Sequence, residues 1–352
     1  MTESGPAAPR DSVEMELVAI WAQVLAVDEV GIHDNFFDLG GHSLLALQLV
    51  SRIRRALSVD LQADELLAAG TVAEMAPLVR GTRGASRTHP LVRLRPGDGR
   101  PLAAFPPVSG TLGLYGPFSR RLDPSWDVWG VQSIGLLPGE EPMEDLGEIA
   151  TRAIAALDSV QRTAAWNLVG YSMGGLLAIE VARQLIGRGD EIGQVFLLDT
   201  RPTVDPAEDD LDFALRALLY RALKIDVDID WLRGLSEHER SSVLLERSVQ
   251  AGTIPPDFDP ERLRRMVDMY RHNLQALSQY ELQPTAIGVD VMRVTDRSLE
   301  GATPLAEDLD WSAWATKGAA VHLVPGDHFT MVDPENAESL ARSMDLAVGA
   351  AP

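Results

Sequence analysis

The 352-residue chain contains no cysteine. Disulfides, thiolate metal sites and a cysteine nucleophile are excluded together, and the absence is neutral about compartment. Long apolar runs are also missing, since no stretch approaches the roughly 18 residues of a membrane span. Positive charge is scarce: 31 Lys and Arg stand against 52 Asp and Glu, for a formal net charge of -21. Nucleic-acid binding needs clustered basic side chains against the phosphates, so that class is set aside. The opening segment MTESGPAAPRDS is polar and lacks the charged-then-apolar layout of a secretory signal. The expectation is a cytoplasmic protein that engages neither membrane nor nucleic acid. What is present is a composition 45% hydrophobic, enough for a sizeable core, in a chain long enough for one small and one large domain.

Up to about residue 80 the pattern is helical. In DSVEMELVAIWAQVLAV the residues Val13, Leu17, Ile20, Trp21, Val24 and Leu25 share one helical face, with Asp11 or Ser12 as N-cap. A loop, DEVGIHDNFFDLGGH, leads to Ser43, which opens the amphipathic run SLLALQLVSRIRRAL. A last helix is expected over about 71–79, with Thr71 and Glu74 in capping-box spacing. The result is a bundle of about four short helices over 10–80. The segment RGTRGASRTH has no apolar residue larger than alanine and no periodicity, so 81–90 reads as a linker.

From Leu91 to about residue 348, short apolar runs alternate with amphipathic helices, the pattern of an α/β sheet domain. Strand candidates are LAAFPP, WDVWGVQ, WNLVGY, QVFLLDT, DVMRVTD and AVHLVPG. Several are apolar on both faces, as a mostly parallel sheet covered by helices requires. Between the fourth and fifth lies a helical insertion at about 204–283. It contains LDFALRALLYRAL, a segment with Ser236 and Glu239 in capping-box spacing that ends at Gly252, and a long helix begun by Asp259 and Pro260. Helices inserted on such a scaffold commonly form a lid over the active site.

The chemistry centres on Gly170-Tyr171-Ser172-Met173-Gly174, a G-x-S-x-G motif with an apolar strand before it and an amphipathic helix after it. The glycines lack a Cβ, so strand and helix pack closely while Ser172 projects its hydroxyl from a strained turn. A serine hydroxyl needs a base, and His328 in LVPGDHFTMV, after the last strand candidate, is the one in the right chain order. His322 lies inside that strand as a packed residue; His238 and His272 belong to the insertion and His89 to the linker. For the acid that orients His328, both Asp199 and Asp296 end a strand, whereas Asp327 reads as a loop-shaping residue. The oxyanion hole is expected from the N–H of Met173 and that of Val108, because Pro106 and Pro107 have none to donate. A second glycine-flanked serine, Ser43 in LGGHSLL, sits beside His42. Adjacent helical residues diverge by roughly 100°, which argues against a His42–Ser43 dyad.

DNFFDLGGHSLLALQLVSRIRRAL resembles the peptidyl carrier (thiolation) domain of nonribosomal peptide synthetases. The resemblance implies that Ser43 carries 4′-phosphopantetheine, attached by a phosphopantetheinyl transferase. FPPVSGTLGLYGPFSRRL, VGYSMGGLLAIEVARQL, LLDT and GDHFTM resemble the type I thioesterase domains that terminate such assembly lines. That likeness implies an α/β-hydrolase fold and favours Asp199 over Asp296, since the family takes its acid from the strand after the nucleophile helix. Its implied activity is release of a peptide loaded by upstream condensation and adenylation modules. The peptidyl thioester on Ser43 would pass to Ser172 and leave by hydrolysis or macrocyclisation. A proofreading thioesterase, or a serine esterase fused to a carrier module, stands as the alternative.

Overall fold

The computed structural model describes residues 7–41, 43–57, 59, 69–81, 91–136, 140–162, 164–202, 228, 230–231, 234–251, 260–298 and 306–349. They fall into two units, one within 1–88 and 211–264, the other within 89–210 and 265–352.

In the N-terminal segment, helix α1 (Ser12–Leu25) starts at Asp11, whose carboxylate accepts the Glu14 N–H at 2.9 Å. This cap satisfies one of the four donors that a helix start leaves open. Leu17, Ile20, Trp21 and Val24 form its buried stripe, while Val13 and Leu25 at the margins are partly buried. They pack with Leu49, Val50 and Ile53 of α2 (Ser43–Leu57) and with Met75, Ala76 and Val79 of α3 (Val72–Gly81). Phe36, from the connecting loop, meets Trp21 edge-on at 5.1 Å. At α3 the expected capping box is present: Glu74 N–H donates to Thr71 Oγ1 at 3.2 Å, and Thr71 N–H donates to Glu74 Oε2 at 3.1 Å. Residues 60–68 and 82–90 lie outside the described residues, and with them the expected fourth helix and the expected linker.

The larger segment contains β1 (Leu91–Arg95), β2 (Arg100–Phe105), β3 (Trp126–Val131), β4 (Trp166–Tyr171), β5 (Ile192–Leu198), β6 (Val289–Val294) and β7 (Ala319–Val324). They form a seven-stranded sheet in the order β1-β3-β2-β4-β5-β6-β7. Every pairing is parallel except β1 with β3. Six of the strands are those expected. β1 is an addition: LVRLR buries only Val92 and Leu94, and a half-buried five-residue edge strand lacks the continuous apolar run that marks the others.

The remaining helices are α4 (Tyr115–Ser119), α5 (Leu146–Leu157), α6 (Met173–Gly187), α7 (Glu237–Gln250), which falls in the first unit, α8 (Pro260–Gln279) and α9 (Ala337–Gly349). Helix α6 carries no charge on its first two turns and is buried almost throughout them, because it packs on β4 and β5 beside α5. The capping box of α7 is formed by Ser236 and Glu239 as expected, and the helix ends at Gln250. Gly252, Asp259 and the segment LDFALRALLYRAL lie outside the described residues, so the insertion at 204–283 is described only in α7, α8 and short pieces beside them.

Candidate active site

The parallel register brings the C-terminal ends of the central strands to one edge. Phe105 of β2 pairs with Gly170 of β4, Gly170 with Leu197 of β5, and Leu198 with Met292 of β6. Loops leaving these ends therefore converge, although the residues concerned are far apart in sequence.

At the end of β4 the chain turns through Ser172, at φ 55 and ψ -123, into α6. A non-glycine residue in this region costs on the order of 1–3 kcal/mol and persists only where its surroundings hold it. Here Ser172 N–H donates to Leu198 O at 3.1 Å, and Thr200 Oγ1 donates to Ser172 O at 3.0 Å. The flanking glycines make the turn possible. A Cβ on Gly170 would lie 2.0 Å from Gly174 O, and one on Gly174 would lie 2.2 Å from Phe105 O. The Ser172 hydroxyl, half-buried, donates to and accepts from no described residue. Met173 is the first residue of α6, where the N–H has no acceptor within the helix and the dipole favours negative charge.

Asp199 follows β5 at φ 44, its N–H donating to Met292 O at 2.9 Å. The next carbonyl, Thr200 O, accepts from the indole of the buried Trp311 at 2.7 Å. Asp199 Oδ2 lies 2.8 Å from His328 Nδ1. An ionised carboxylate only accepts, so Nδ1 carries the proton and Nε2 is left as the basic nitrogen. The ring is clamped: Tyr171 stacks on it at 5.1 Å and 29°, Phe329 meets it edge-on at 5.1 Å, and Tyr171 OH donates to His328 O at 2.6 Å. Burial, reinforced by the Asp199 charge, holds the Tyr171 phenol well above its usual pKa, so it stays a neutral donor.

The remaining sequence candidates have other occupations. Asp296 is exposed and its carboxylate accepts from Ser298 N–H at 2.9 Å, so it does not meet His328. Asp327 shapes its loop, accepting from Phe329 N–H at 2.9 Å and from Thr330 N–H at 2.8 Å. His322, expected to be packed in β7, is partly buried and pairs with Asp290 at 2.8 Å. His272 Nδ1 meets Asp268 O at 2.7 Å. His42, His89 and the side chain of His238 are outside the described residues. Val108 lies in the loop after β2, and its N–H donates to no described residue. The parts that sequence reasoning missed are Thr200, Trp311 and the clamping role of Tyr171. A Tyr inside the nucleophile motif was visible, but its target, a carbonyl 157 residues away, was not.

The second serine has a site of its own. Gly40 sits at φ +92, and Gly41 N–H donates to Phe36 O at 2.8 Å. A Cβ on Gly41 would lie 2.3 Å from the Phe36 ring, so only glycine permits this approach to the helix. Ser43 is the first residue of α2, whose first turn has no acidic residue. Open N–H groups and the positive dipole end suit a phosphodiester at that position, so the backbone fits a phosphopantetheine.

Among the described residues no cluster of His, Asp and Glu is arranged to hold a metal ion, and no helix is long and apolar enough to cross a membrane. A hydroxyl on a strained turn, an imidazole whose distal nitrogen meets no described residue and a carboxylate behind it are the parts of nucleophilic acyl transfer.

Comparison with known proteins points the same way. A thioesterase domain family matches residues 100–346, and the phosphopantetheine attachment site family matches residues 16–79. The dimodular nonribosomal peptide synthase of Bacillus subtilis (strain 168) is 36% identical over 224 residues, 62% of this chain and 9% of that protein. Enterobactin synthase component F of Escherichia coli O157:H7 is 34% identical over 198 residues, 55% of this chain and 15% of that protein. The chain thus spans a small part of the curated relatives it matches. Among solved structures, holo-AB3403, a four-domain nonribosomal peptide synthetase bound to AMP and glycine, aligns over 100% of this chain and 27% of its own, at 27% identity and TM-score 0.67. The Vlm2 thioesterase domain aligns over 73% of this chain and 96% of its own, at 26% identity and TM-score 0.54.

Proposed function

The chain belongs to the thioesterase domain family and carries a phosphopantetheine attachment domain ahead of it, and from this premise we propose that it releases the acyl product of a nonribosomal peptide synthetase by way of Ser172, His328 and Asp199. The observation that carries the reading is the strained Ser172 on the sheet edge where His328 is already paired with Asp199 at 2.8 Å. Ser43 would hold the phosphopantetheine, which when bound presents the acyl chain as a thioester.

Each protein group then has one task. Ser172 Oγ attacks the thioester carbonyl while His328 Nε2 takes its proton, and Asp199 stabilises the imidazolium that forms. The N–H groups of Met173 and Val108 hold the oxyanion. His328 returns the proton to the departing sulfur, leaving the acyl chain as an ester on Ser172. His328 next activates the group that ends the cycle, water or a nucleophile of the acyl chain itself. We assign the carrier to residues 10–80, the linker to 81–90 and the thioesterase to 91–348, with the insertion at about 204–283 as its lid. Upstream condensation and adenylation modules would supply the peptide, and a phosphopantetheinyl transferase would modify Ser43, in the cytoplasm.

Intact mass spectrometry tests the reading. The chain is treated with a phosphopantetheinyl transferase and an acyl-coenzyme A, and the acylated mass is followed with time. Wild type should gain one acylated arm and lose the acyl group, Ser172→Ala should gain the arm and keep its acyl group, and Ser43→Ala should gain nothing. Release from Ser172→Ala at the wild-type rate, or modification of Ser43→Ala, would overturn it.

A further inference from the structure

The loop that bears Val108 is held from both sides, and one of the two holds comes from an unexpected place. Gly110 N–H donates to Pro107 O at 2.8 Å, closing the turn Pro107–Gly110, with Gly110 at φ +74. In a trans peptide the C=O and the following N–H point in opposite directions. The turn bond therefore aims the Val108 N–H away from Gly110. The next peptide plane is held by Asn273 of α8, whose Nδ2 donates to Val108 O at 2.9 Å. Among the described residues that amide is the only partner of the Val108 carbonyl.

Asn273 is 2% exposed, on a helix face otherwise apolar: Met269 and Ala276 are each 1% exposed. One turn before Asn273, Met269 occupies the space beside Gly110, where a Cβ would lie 2.7 Å from its Cγ. A carboxamide buried on such a face is costly unless its hydrogen bond is needed, and a leucine would fill the position without that cost. Asn273 serves no helix cap, being in the interior of α8 (Pro260–Gln279). Among the described residues its side-chain hydrogen bond reaches a loop 165 residues away.

We propose that Asn273 is a positioning residue for the acyl-transfer reaction: from α8 it holds the Val108 peptide so that the Val108 N–H faces the oxyanion. The inference rests on the reading of Val108 as an oxyanion donor. It makes docking of α8, the return helix of the insertion, a condition for a complete oxyanion hole. An open α8 would leave Ser172, His328 and Asp199 in place but the hole incomplete.

Three variants in the full chain separate these statements: Asn273→Leu, Val108→Pro and the double variant. Val108→Pro deletes the N–H at a turn position that favours proline. Steady-state cleavage of a peptidyl N-acetylcysteamine thioester is measured, with binding of a peptide boronate, a tetrahedral mimic, and thermal unfolding alongside. Val108→Pro should lower kcat by about 10²–10³-fold, the usual loss for one oxyanion donor. Asn273→Leu should lower kcat by roughly 10–100-fold with KM within about twofold, and weaken the boronate in proportion. The double variant should be no slower than Val108→Pro, because Asn273 acts through the group that proline removes. If Asn273→Leu changes Tm but neither kcat nor boronate affinity, Asn273 is only structural. Losses that multiply in the double variant also overturn the proposal. If Val108→Pro keeps full kcat, the oxyanion reading fails instead, whatever Asn273→Leu does.

Discussion

Gly174→Ala tests the packing logic of the nucleophile turn with the least chemical disturbance. A single methyl is added, and no hydrogen-bonding group or charge is touched. The new Cβ would lie 2.2 Å from Phe105 O and 2.8 Å from Pro106 O. The nearest ordinary carbon–oxygen contact is about 3.3 Å, so helix and loop must part by about 1 Å. Both neighbours are backbone, and no rotamer change relieves the clash. Overpacking of this kind costs about 1–3 kcal/mol, which for a domain of this size lowers Tm by roughly 2–10 °C. The functional cost is larger in proportion. The start of α6 and the loop after β2 carry the two proposed oxyanion donors, Met173 and Val108, and a 1 Å misplacement is worth about 10²-fold in rate.

The assay is the second-order rate of Ser172 labelling by a fluorophosphonate, read by intact mass, beside thermal unfolding. Gly187→Ala is the matched control, since nothing lies within 4 Å of its Cβ position near the end of the same helix. That variant should label at the wild-type rate and unfold at the same temperature or slightly higher, by up to about 1 kcal/mol. Wild-type labelling and unchanged Tm in Gly174→Ala would refute the reasoning. So would an equal loss in both variants.

Two further outcomes are expected. Asp199→Asn should cut thioester cleavage by about 10⁴-fold, as loss of the orienting carboxylate does in serine triads, whereas Asp296→Asn should stay within about threefold; comparable losses would contradict the assignment. Glu180 is 2% exposed, and burial alone would raise its pKa, but hydrogen bonds from Arg183, Gln184 and Tyr280 outweigh burial and lower it. A carboxyl with a depressed folded-state pKa adds stability above its unfolded value of about 4.3 and loses it as pH falls through the folded value. The Tm advantage of wild type over Glu180→Gln should therefore shrink from pH 7 towards pH 3; a gap that widens on acidification would disprove the direction.

Much of the molecule is encoded in short-range signals. The Asp11 cap and the boxes at Thr71 and Ser236 form between residues three apart, so the chain writes them locally. The central strands announce themselves because burial on both faces demands continuous apolar runs. The motif around Ser172 occupies five consecutive residues, and its glycines answer to one near and one distant neighbour: a Cβ on Gly170 would meet Gly174 O within the motif, and one on Gly174 would meet Phe105 O from β2. The glycine pair of LGGHSLL is equally local, since the close approach of Gly41 to Phe36 spans a single loop.

Where a choice depended on which loops meet, strand pattern and spacing left it open, and for the acid only the family resemblance favoured Asp199. Asp199 and Asp296 both end parallel strands, and only sheet order and the turn after each strand bring the first to His328 and leave the second in its own Ser298 turn. Likewise, nothing near Tyr171 predicts that its hydroxyl would hold the carbonyl of His328, and nothing near Asn273 predicts Val108. Periodicity reports the face on which a side chain lies, because that depends on the 2.0 and 3.6 repeats of the backbone. It does not report the partner across that face, which is set by three-dimensional register between distant segments. Local pattern thus names the residues able to act in this protein, and the packing of distant segments selects which of them act on one another.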